Sequence, residues 1–130
     1  MDNLKKINDT CGHHAGDKAI LSVRDLLLDY SRPGDLTARL GGDEFVMWLD
    51  GIDLKTSELR AKRLIQANRV LAGLCNGKDI ALSISIGVAF FEPSTGETLD
   101  SLISRADAAM YVAKKTGKGS YYISKKCDDL

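Results

Sequence analysis

The stretch Arg39-Leu40-Gly41-Gly42-Asp43-Glu44-Phe45 decides how the middle of the chain folds. It joins two short apolar runs, residues 36–40 and 45–49, and this pattern predicts two strands connected by a hairpin-like turn. The two glycines allow a tight turn and let a ligand approach the backbone where no Cβ stands in the way. The two carboxylates that follow are hard oxygen ligands, which suit Mg²⁺. The same residue types are common in solvated hairpin turns, and composition alone favours that simpler alternative.

Outward from the hairpin, apolar residues recur every three or four positions in three segments and alternate in a fourth. The pattern predicts helices over residues 15–30, 56–74 and 99–115, a long strand over residues 80–91 and a final strand over residues 120–124. Asn76-Gly77 and Gly117 are predicted to end the second and third helices. The order helix, strand, strand, helix, strand, helix, strand predicts an α+β domain with helices packed on a sheet. Only a polar segment precedes the first helix, where a strand that buries it is expected.

The bulk composition narrows the class of protein. The 130 residues suit one domain over residues 1–130, and 18 basic residues balance 18 acidic ones, so no overall positive charge indicates nucleic acid or an anionic membrane as partner. No apolar run approaches the roughly 20 residues that span a bilayer. The first residues do not resemble a signal peptide, because no apolar region follows Lys5-Lys6. Three scattered cysteines, Cys11, Cys75 and Cys127, predict neither a zinc site nor a disulfide framework and favour a reducing cytosol.

A second candidate site lies in the segment from Asn8 to Asp17. An amide and a carboxylate together can read a purine edge, because the amide donates to a carbonyl oxygen and the carboxylate accepts from N–H groups. Guanine presents that combination. Simple helix capping, with Asp17 near the positive end of the helix dipole, is the alternative. His13 and His14 are adjacent on a predicted helix and do not converge on one metal ion.

Two further clusters carry charge that a nucleotide requires. Lys114-Lys115-Thr116-Gly117-Lys118 places lysines near a glycine, where they can hold phosphates or simply complement the C-terminal end of a helix dipole. Arg32 and Asp35 flank a Pro-Gly turn and can clamp a guanine base and a phosphate. By itself, the second pattern is also that of an ordinary surface turn.

Taken together, these segments resemble the GGDEF family of bacterial diguanylate cyclases. Four blocks carry the resemblance in the family's order, and the match runs from about residue 2 to residue 124: residues 4–17, 39–45, 82–89 and 106–118. The resemblance implies a fold related to nucleotidyl cyclases and polymerase palm domains, with a ferredoxin-like, antiparallel-rich sheet. It also implies an activity, the condensation of two GTP molecules to cyclic di-GMP with loss of two pyrophosphates.

The resemblance further implies a site in which each domain of a homodimer holds one GTP. Mg²⁺ or Mn²⁺ ions would stabilise the attacking and leaving oxygens. At the matching positions, Asp43 is a metal ligand, and Glu44 is a metal ligand or the group that helps deprotonate the 3′-hydroxyl. Gly41 and Gly42 lie beside the substrate, and Asn8 and Asp17 bind guanine. The residues that match phosphate ligands are Lys5, Lys114 and Lys118. Arg32 and Asp35 match the family's RxxD inhibitory site for cyclic di-GMP, and Arg63 matches its secondary arginine. Product feedback and an upstream sensor domain are therefore expected.

The chain also departs from the family pattern at its N-terminus. The family has a preceding strand that ends in DxD, and Asp2 aligns with the second aspartate, which leaves the strand and the first metal-binding aspartate before Met1. Met1 is then an internal or artificial start, or the chain is a gene fragment. Loss of an anionic metal ligand predicts weak activity, and an inactive module that binds cyclic di-GMP or GTP is the alternative function. Leu4 replaces the usual Phe, and Lys118 replaces an Arg whose fork to phosphate lysine lacks.

Overall fold

A computed structural model describes residues 1–69 and 82–125. The chain comprises two compact units, Met1–Ile84 and Ser85–Leu130. The predicted helix stop at Asn76-Gly77 and the predicted helical residues 70–74 lie outside the described residues, as do residues 80 and 81 of the predicted long strand. None of the helices in the described ranges is long and apolar enough to cross a membrane.

Three helices belong to the first unit: α1 (Leu4–Cys11), α2 (His13–Asp29) and α3 (Leu54–Arg69). Helix α2 begins two residues earlier than predicted, and α3 confirms the second predicted helix as far as it is described. No helix was predicted in the polar segment before α2, and this segment forms α1. One apolar side chain, Ile7, is buried on α1, and packing against α2 is what stabilises so short and polar a helix.

The hairpin consists of β1 (Leu36–Gly41) and β2 (Glu44–Trp48), which pair in antiparallel fashion with Leu36 opposite Trp48 and Arg39 opposite Phe45. These bounds confirm the predicted strands to within one residue at each end. The register shifts between Arg39 and Gly41, so one extra residue is accommodated just before the turn. A bulge of this kind increases the local twist and redirects the turn residues.

The core of the first unit includes apolar side chains on its helices together with Leu82 and Ile84. Asn68 on α3 is also buried, and its Nδ2 donates to the Leu82 carbonyl at 3.0 Å. Asp2 forms an isolated antiparallel bridge with Ser83. The chain start, α3 and the 82–84 segment are therefore held together by polar as well as apolar contacts.

The second unit contains β3 (Ile86–Val88), a short 3-10 helix (Pro93–Thr95), α4 (Leu99–Thr116) and β4 (Tyr121–Ile123). Strands β3 and β4 are parallel, with Ile86 opposite Tyr121, and α4 is the crossover that a parallel pair requires. The predicted long strand over residues 80–91 was wrong in its described part, which contains only β3 and the Ser83 bridge. Alternation of apolar residues indicates which side chains face inward, but it does not set the length of a strand. That length depends on the neighbouring strand, and β4 pairs with only three residues of this segment.

One prediction about the cysteines was also wrong. Cys11 is disulfide-bonded, although the scattered spacing of the three cysteines indicated no disulfide. Cys75 and Cys127 lie outside the described residues. Distance along the sequence does not exclude proximity in the fold, and this was the weak step in the prediction.

Candidate nucleotide site

The turn between β1 and β2 is built by backbone conformation and one arginine. Gly42 has φ of 50°, a left-handed conformation that side chains disfavour. The guanidinium of Arg39 donates from Nε and Nη2 to the Gly42 carbonyl at 3.0 and 2.8 Å. Nothing lies within 4 Å of the position that a Cβ would occupy on Gly41 or Gly42. The turn is therefore held from one side by Arg39 and is open around its glycines.

The two carboxylates of the turn differ in exposure, since Asp43 is half-buried and Glu44 is exposed. The amino group of Met1 donates to the Asp43 carbonyl at 2.5 Å, which brings the segment before α1 beside the turn. The carboxylate of Asp2 is buried and accepts from Ser83 Oγ at 2.6 Å. In residues 1–69 and 82–125, no three acidic, histidine or cysteine side chains are grouped as a metal site.

The predicted guanine readers lie on the two neighbouring helices α1 and α2. Asn8 is half-buried on α1, and a Cβ on Gly16 of α2 would lie 1.7 Å from its Oδ1. Only glycine at position 16 therefore leaves room for the Asn8 amide. Asp17 follows on α2 and is exposed, and Lys5 is exposed one turn before Asn8 on α1. Lys5 and Asn8 therefore lie at neighbouring positions on the surface of α1. The absence of a side chain at Gly16 leaves the space that the Asn8 amide occupies.

Gly16 was not among the residues singled out as binding substrate. The sequence signal for Gly16 is its position inside a predicted helix. A glycine there lowers helix stability by roughly 1 kcal/mol relative to alanine, so its presence indicates a specific structural need. The reason is its burial against Asn8.

The remaining predicted phosphate contacts belong to the second unit. Lys114 lies in the last turn of α4 and is half-buried, and Lys118 follows the helix. Lys115 is directed at its own helix, with Nζ 4.8 Å from the centre of the Tyr111 ring. Lys114 and Lys118 as phosphate ligands remain a prediction.

The turn Arg32-Pro33-Gly34-Asp35 has the features of a type II β-turn. The Asp35 N–H donates to the Arg32 carbonyl at 3.0 Å, proline occupies the second position, and Gly34 has the positive φ, 94°, that the third position requires. The Arg32 N–H donates in return to Asp35 Oδ2 at 2.8 Å. Two reciprocal hydrogen bonds therefore close the turn that the sequence marked as a candidate clamp.

A second arginine, Arg60 on α3, also reaches this turn. Its Nη1 donates to Asp35 Oδ2 at 3.2 Å and its Nη2 donates to the Tyr30 carbonyl at 2.6 Å. The Asp35 side chain is 2% exposed. The Arg32 backbone hydrogen bond, followed by the Arg60 contact, lowers the pKa of Asp35, although burial acts in the opposite direction.

Sequence reasoning named Arg63 here and missed Arg60. Arg63 lies three residues further along α3 and is exposed, so its role remains a prediction. The two arginines are neighbours on the helix surface, and the sequence alone does not tell which of them faces the turn.

A partly buried ion pair in the second unit was also missed. Arg105 on α4 donates from Nε and Nη2 to the two oxygens of Glu97 at 2.7 and 2.8 Å, and from Nη2 to the Phe90 carbonyl at 2.7 Å. The Arg105 hydrogen bonds lower the pKa of Glu97. This pair fastens the segment after β3 to α4.

Comparison with known proteins agrees with this architecture. A family model described as "Diguanylate cyclase, GGDEF domain" matches residues 1–120. The chain is 37% identical over 120 residues to diguanylate cyclase TpbB of Pseudomonas aeruginosa, covering 92% of this chain and 27% of that protein. It is 38% identical over 122 residues to diguanylate cyclase DosC of Escherichia coli K12, covering 91% and 25%. The chain thus spans about a quarter of the length of these curated relatives.

Solved structures show the same fold. The GGDEF domain of TpbB (YfiN) from P. aeruginosa has a TM-score of 0.84 at 33% identity, with 96% of this chain and 78% of that one covered. The GGDEF domain of DgcB from Caulobacter crescentus, solved in complex with cyclic di-GMP, has a TM-score of 0.84 at 30% identity, with coverages of 94% and 72%. The predicted α+β fold class is confirmed, and the chain belongs to the GGDEF domain family of diguanylate cyclases.

Proposed function

We propose that this chain is the GTP-binding part of a diguanylate cyclase that forms cyclic di-GMP from two GTP molecules. The observation that carries the proposal is the α1–α2 pair, in which Gly16 makes room for the amide of Asn8 beside an exposed Asp17. The contact between Met1 and Asp43 brings the segment before α1 to the carboxylate-bearing turn. Both contacts support the proposal that the first unit reads the base through Asn8 and Asp17 and holds the phosphate end of the nucleotide at the turn.

Guanine recognition follows from the hydrogen-bonding groups of these side chains. The Asn8 amide donates to the O6 carbonyl of guanine, and the Asp17 carboxylate accepts from its N1–H and N2–H groups. Adenine has an amino group in place of the carbonyl and no N1–H, so both contacts are lost with ATP. Lys5, exposed on α1, offers a positive charge to the phosphates.

Asp43 and Glu44 are the residues that fit a divalent cation. Mg²⁺ is commonly held by one or two carboxylates together with substrate phosphates, and the turn offers two carboxylates beside open glycines. A bound Mg²⁺ or Mn²⁺ would supply positive charge that stabilises the phosphate oxygens. The Asp2 carboxylate accepts a hydrogen bond from Ser83 Oγ, and within residues 1–69 and 82–125 we assign the metal to Asp43 and Glu44.

The reaction requires two copies of the domain, because each binds one nucleotide. The 3′-oxygen of one GTP bonds to the α-phosphorus of the other, the bond from that phosphorus to the bridging oxygen breaks, and pyrophosphate leaves. Glu44, which is exposed at the turn, accepts the proton of the 3′-hydroxyl. The same exchange with the roles reversed closes the ring, so a homodimer is the catalytic form.

The test is conversion of GTP by the purified chain with Mg²⁺ or Mn²⁺, beside an Asp43→Ala/Glu44→Ala control. We expect cyclic di-GMP from the unmodified chain and none from the control. Equal product from both would contradict the assigned roles of the two carboxylates. Absence of product from both, with GTP still bound, would instead support the inactive binding module.

A second function, binding of cyclic di-GMP at the Arg32–Asp35 turn, is favoured by the closed geometry of that turn and by the exposure of Arg32, which is 46%. The related DgcB domain was solved in complex with cyclic di-GMP. Arg32→Ala distinguishes the two roles of such a site. It relieves product inhibition in an enzyme, and it abolishes the output of a receptor.

The context of the domain is proposed from its relatives. The curated relatives are between three and four times as long as this chain, which supports further domains, including an upstream sensor. SiaD of P. aeruginosa, 30% identical with a TM-score of 0.84, was solved in complex with its activator SiaC, so control by a separate protein is a further possibility for the trigger. A GTP-consuming domain is expected in the bacterial cytoplasm.

A further inference from the structure

We infer that Arg60 is a positioning residue for the cyclic di-GMP site at the Arg32–Asp35 turn. Arg60 neutralises Asp35 and thereby keeps the guanidinium of Arg32 available to the ligand. The inference rests on the binding role proposed above for the turn, and it concerns a residue on a different element, helix α3.

The contacts of Arg60 join α3 to both sides of the turn. Its Nη1 bonds to the Asp35 carboxylate, and its Nη2 bonds to the carbonyl of Tyr30, the residue that ends α2. The Arg60 side chain is only 14% exposed, so these hydrogen bonds are shielded from water. A planar guanidinium with five donors can serve two acceptors at once, whereas lysine acts as a point charge.

The charge of Asp35 explains why this matters for ligand binding. A carboxylate that is 2% exposed needs a nearby cation. Arg32 Nε lies 3.6 Å from Asp35 Oδ2, beyond hydrogen-bonding range, while Arg32 Nη2 donates to the Asp50 carbonyl at 2.9 Å. Arg60 thus makes the direct side-chain hydrogen bond to the carboxylate, while Arg32 makes a longer ion pair with it and its side chain is 46% exposed.

Without Arg60, the nearest cation to the buried carboxylate is Arg32 itself. A closer pair between Arg32 and Asp35 would turn the guanidinium away from solvent and reduce its capacity to pair with phosphate or guanine. The expected consequence of removing Arg60 is therefore weaker ligand binding that arises through Asp35, and not merely a less stable chain.

The experiment measures the affinity of the full chain for cyclic di-GMP by calorimetry. We expect Arg60→Gln to raise Kd about tenfold, which corresponds to about 1.4 kcal/mol. Arg60→Lys keeps the positive charge but not both hydrogen bonds, so we expect its Kd to lie between that of the unmodified chain and that of Arg60→Gln. Arg69→Gln, a matched loss of an exposed arginine at the end of the same helix, leaves Kd unchanged.

A double-substitution comparison tests whether Arg60 acts through Asp35. In an Asp35→Asn background, Arg60→Gln is expected to change Kd no further, since there is no carboxylate left to capture Arg32. A further tenfold loss in that background would overturn the inference. Should Arg60→Gln fail to fold, Arg60→Lys in both backgrounds provides the same comparison.

The failure of this inference differs from failure of the proposed site. Equal affinities of the unmodified chain and Arg60→Gln, with Arg32→Ala weakening binding, would overturn the role of Arg60 and leave the site intact. Absence of binding by the unmodified chain, or unchanged binding by Arg32→Ala, would overturn the site and the inference together.

Discussion

Replacing Gly16 with alanine is expected to weaken GTP binding without weakening the fold. The new Cβ would lie 1.7 Å from Asn8 Oδ1, whereas real Cβ atoms essentially never approach closer than 3.0 Å. The amide oxygen must therefore retreat by about 1.3 Å, the difference between these distances. The nearest contacted atom is the end of a flexible side chain, so Asn8 can rotate away while the helices keep their places.

Gly16→Ala has two effects of opposite sign on the free energy of unfolding. Alanine is favoured over glycine in a helix by up to about 1 kcal/mol, and a displaced rotamer costs about 0.5–1.5 kcal/mol. The free energy of unfolding should therefore change little. The lost hydrogen bond from Asn8 to guanine is worth about 0.5–1.5 kcal/mol, which predicts an affinity for GTP that is roughly twofold to twelvefold lower.

The assay is calorimetric titration with a non-hydrolysable GTP analogue, beside urea unfolding of the same samples. Asn8→Ala and the Asn8→Ala/Gly16→Ala double variant serve as controls, and both are expected to bind as weakly as Gly16→Ala. Unchanged affinity in Gly16→Ala would refute the assignment of Asn8 to guanine. A large fall in unfolding free energy would show instead that the helices themselves separate.

Two further substitutions test the second unit. Gly87→Ala should destabilise it by about 3 kcal/mol, because the new Cβ would lie 2.0 Å from the Ala106 carbonyl of α4; a urea midpoint unchanged from that of the unmodified chain would contradict this. Glu97→Gln should lower stability at neutral pH, where the carboxylate pairs with Arg105. Since the pKa of Glu97 is lowered in the fold, that contribution is lost as pH falls below the ordinary value of 4.5. Unfolding curves at several pH values should therefore converge in acid, and a constant difference would contradict the ion pair's role.

The sequence predicted those elements whose apolar residues have a clear period. The hairpin and helices α2, α3 and α4 were predicted within about two residues of the observed bounds wherever they are described. Helix α1 was missed because it is only eight residues long, which is too short for its apolar residues Leu4 and Ile7 to show a clear period. The long strand was overpredicted because alternation extends over residues 82–85, where the strand pairing seen in the described residues is a single bridge between Asp2 and Ser83.

The candidate site was predicted at the level of residues and not of contacts. Family resemblance brought Asn8, Asp43 and Arg32 to attention, but neither composition nor spacing links Arg60 to Asp35, which are 25 residues apart. Such pairs form only when two helices and a turn have packed. The partners that tune a site are therefore the part that sequence reasoning finds last.

Gly16 and Gly87, two glycines of the family blocks, show why a motif alone does not reveal what its residues do. A Cβ on Gly16 would meet the amide end of Asn8, which can move, whereas a Cβ on Gly87 would meet the backbone of Ala106 and Met110, which cannot move without shifting α4. Alanine at position 16 should therefore weaken nucleotide binding, whereas alanine at position 87 should lower the stability of the fold. Measuring unfolding and nucleotide affinity for both variants side by side separates a glycine kept for a ligand contact from one kept for packing. If both variants changed the same quantity, the distinction drawn from the contacted atoms would be wrong.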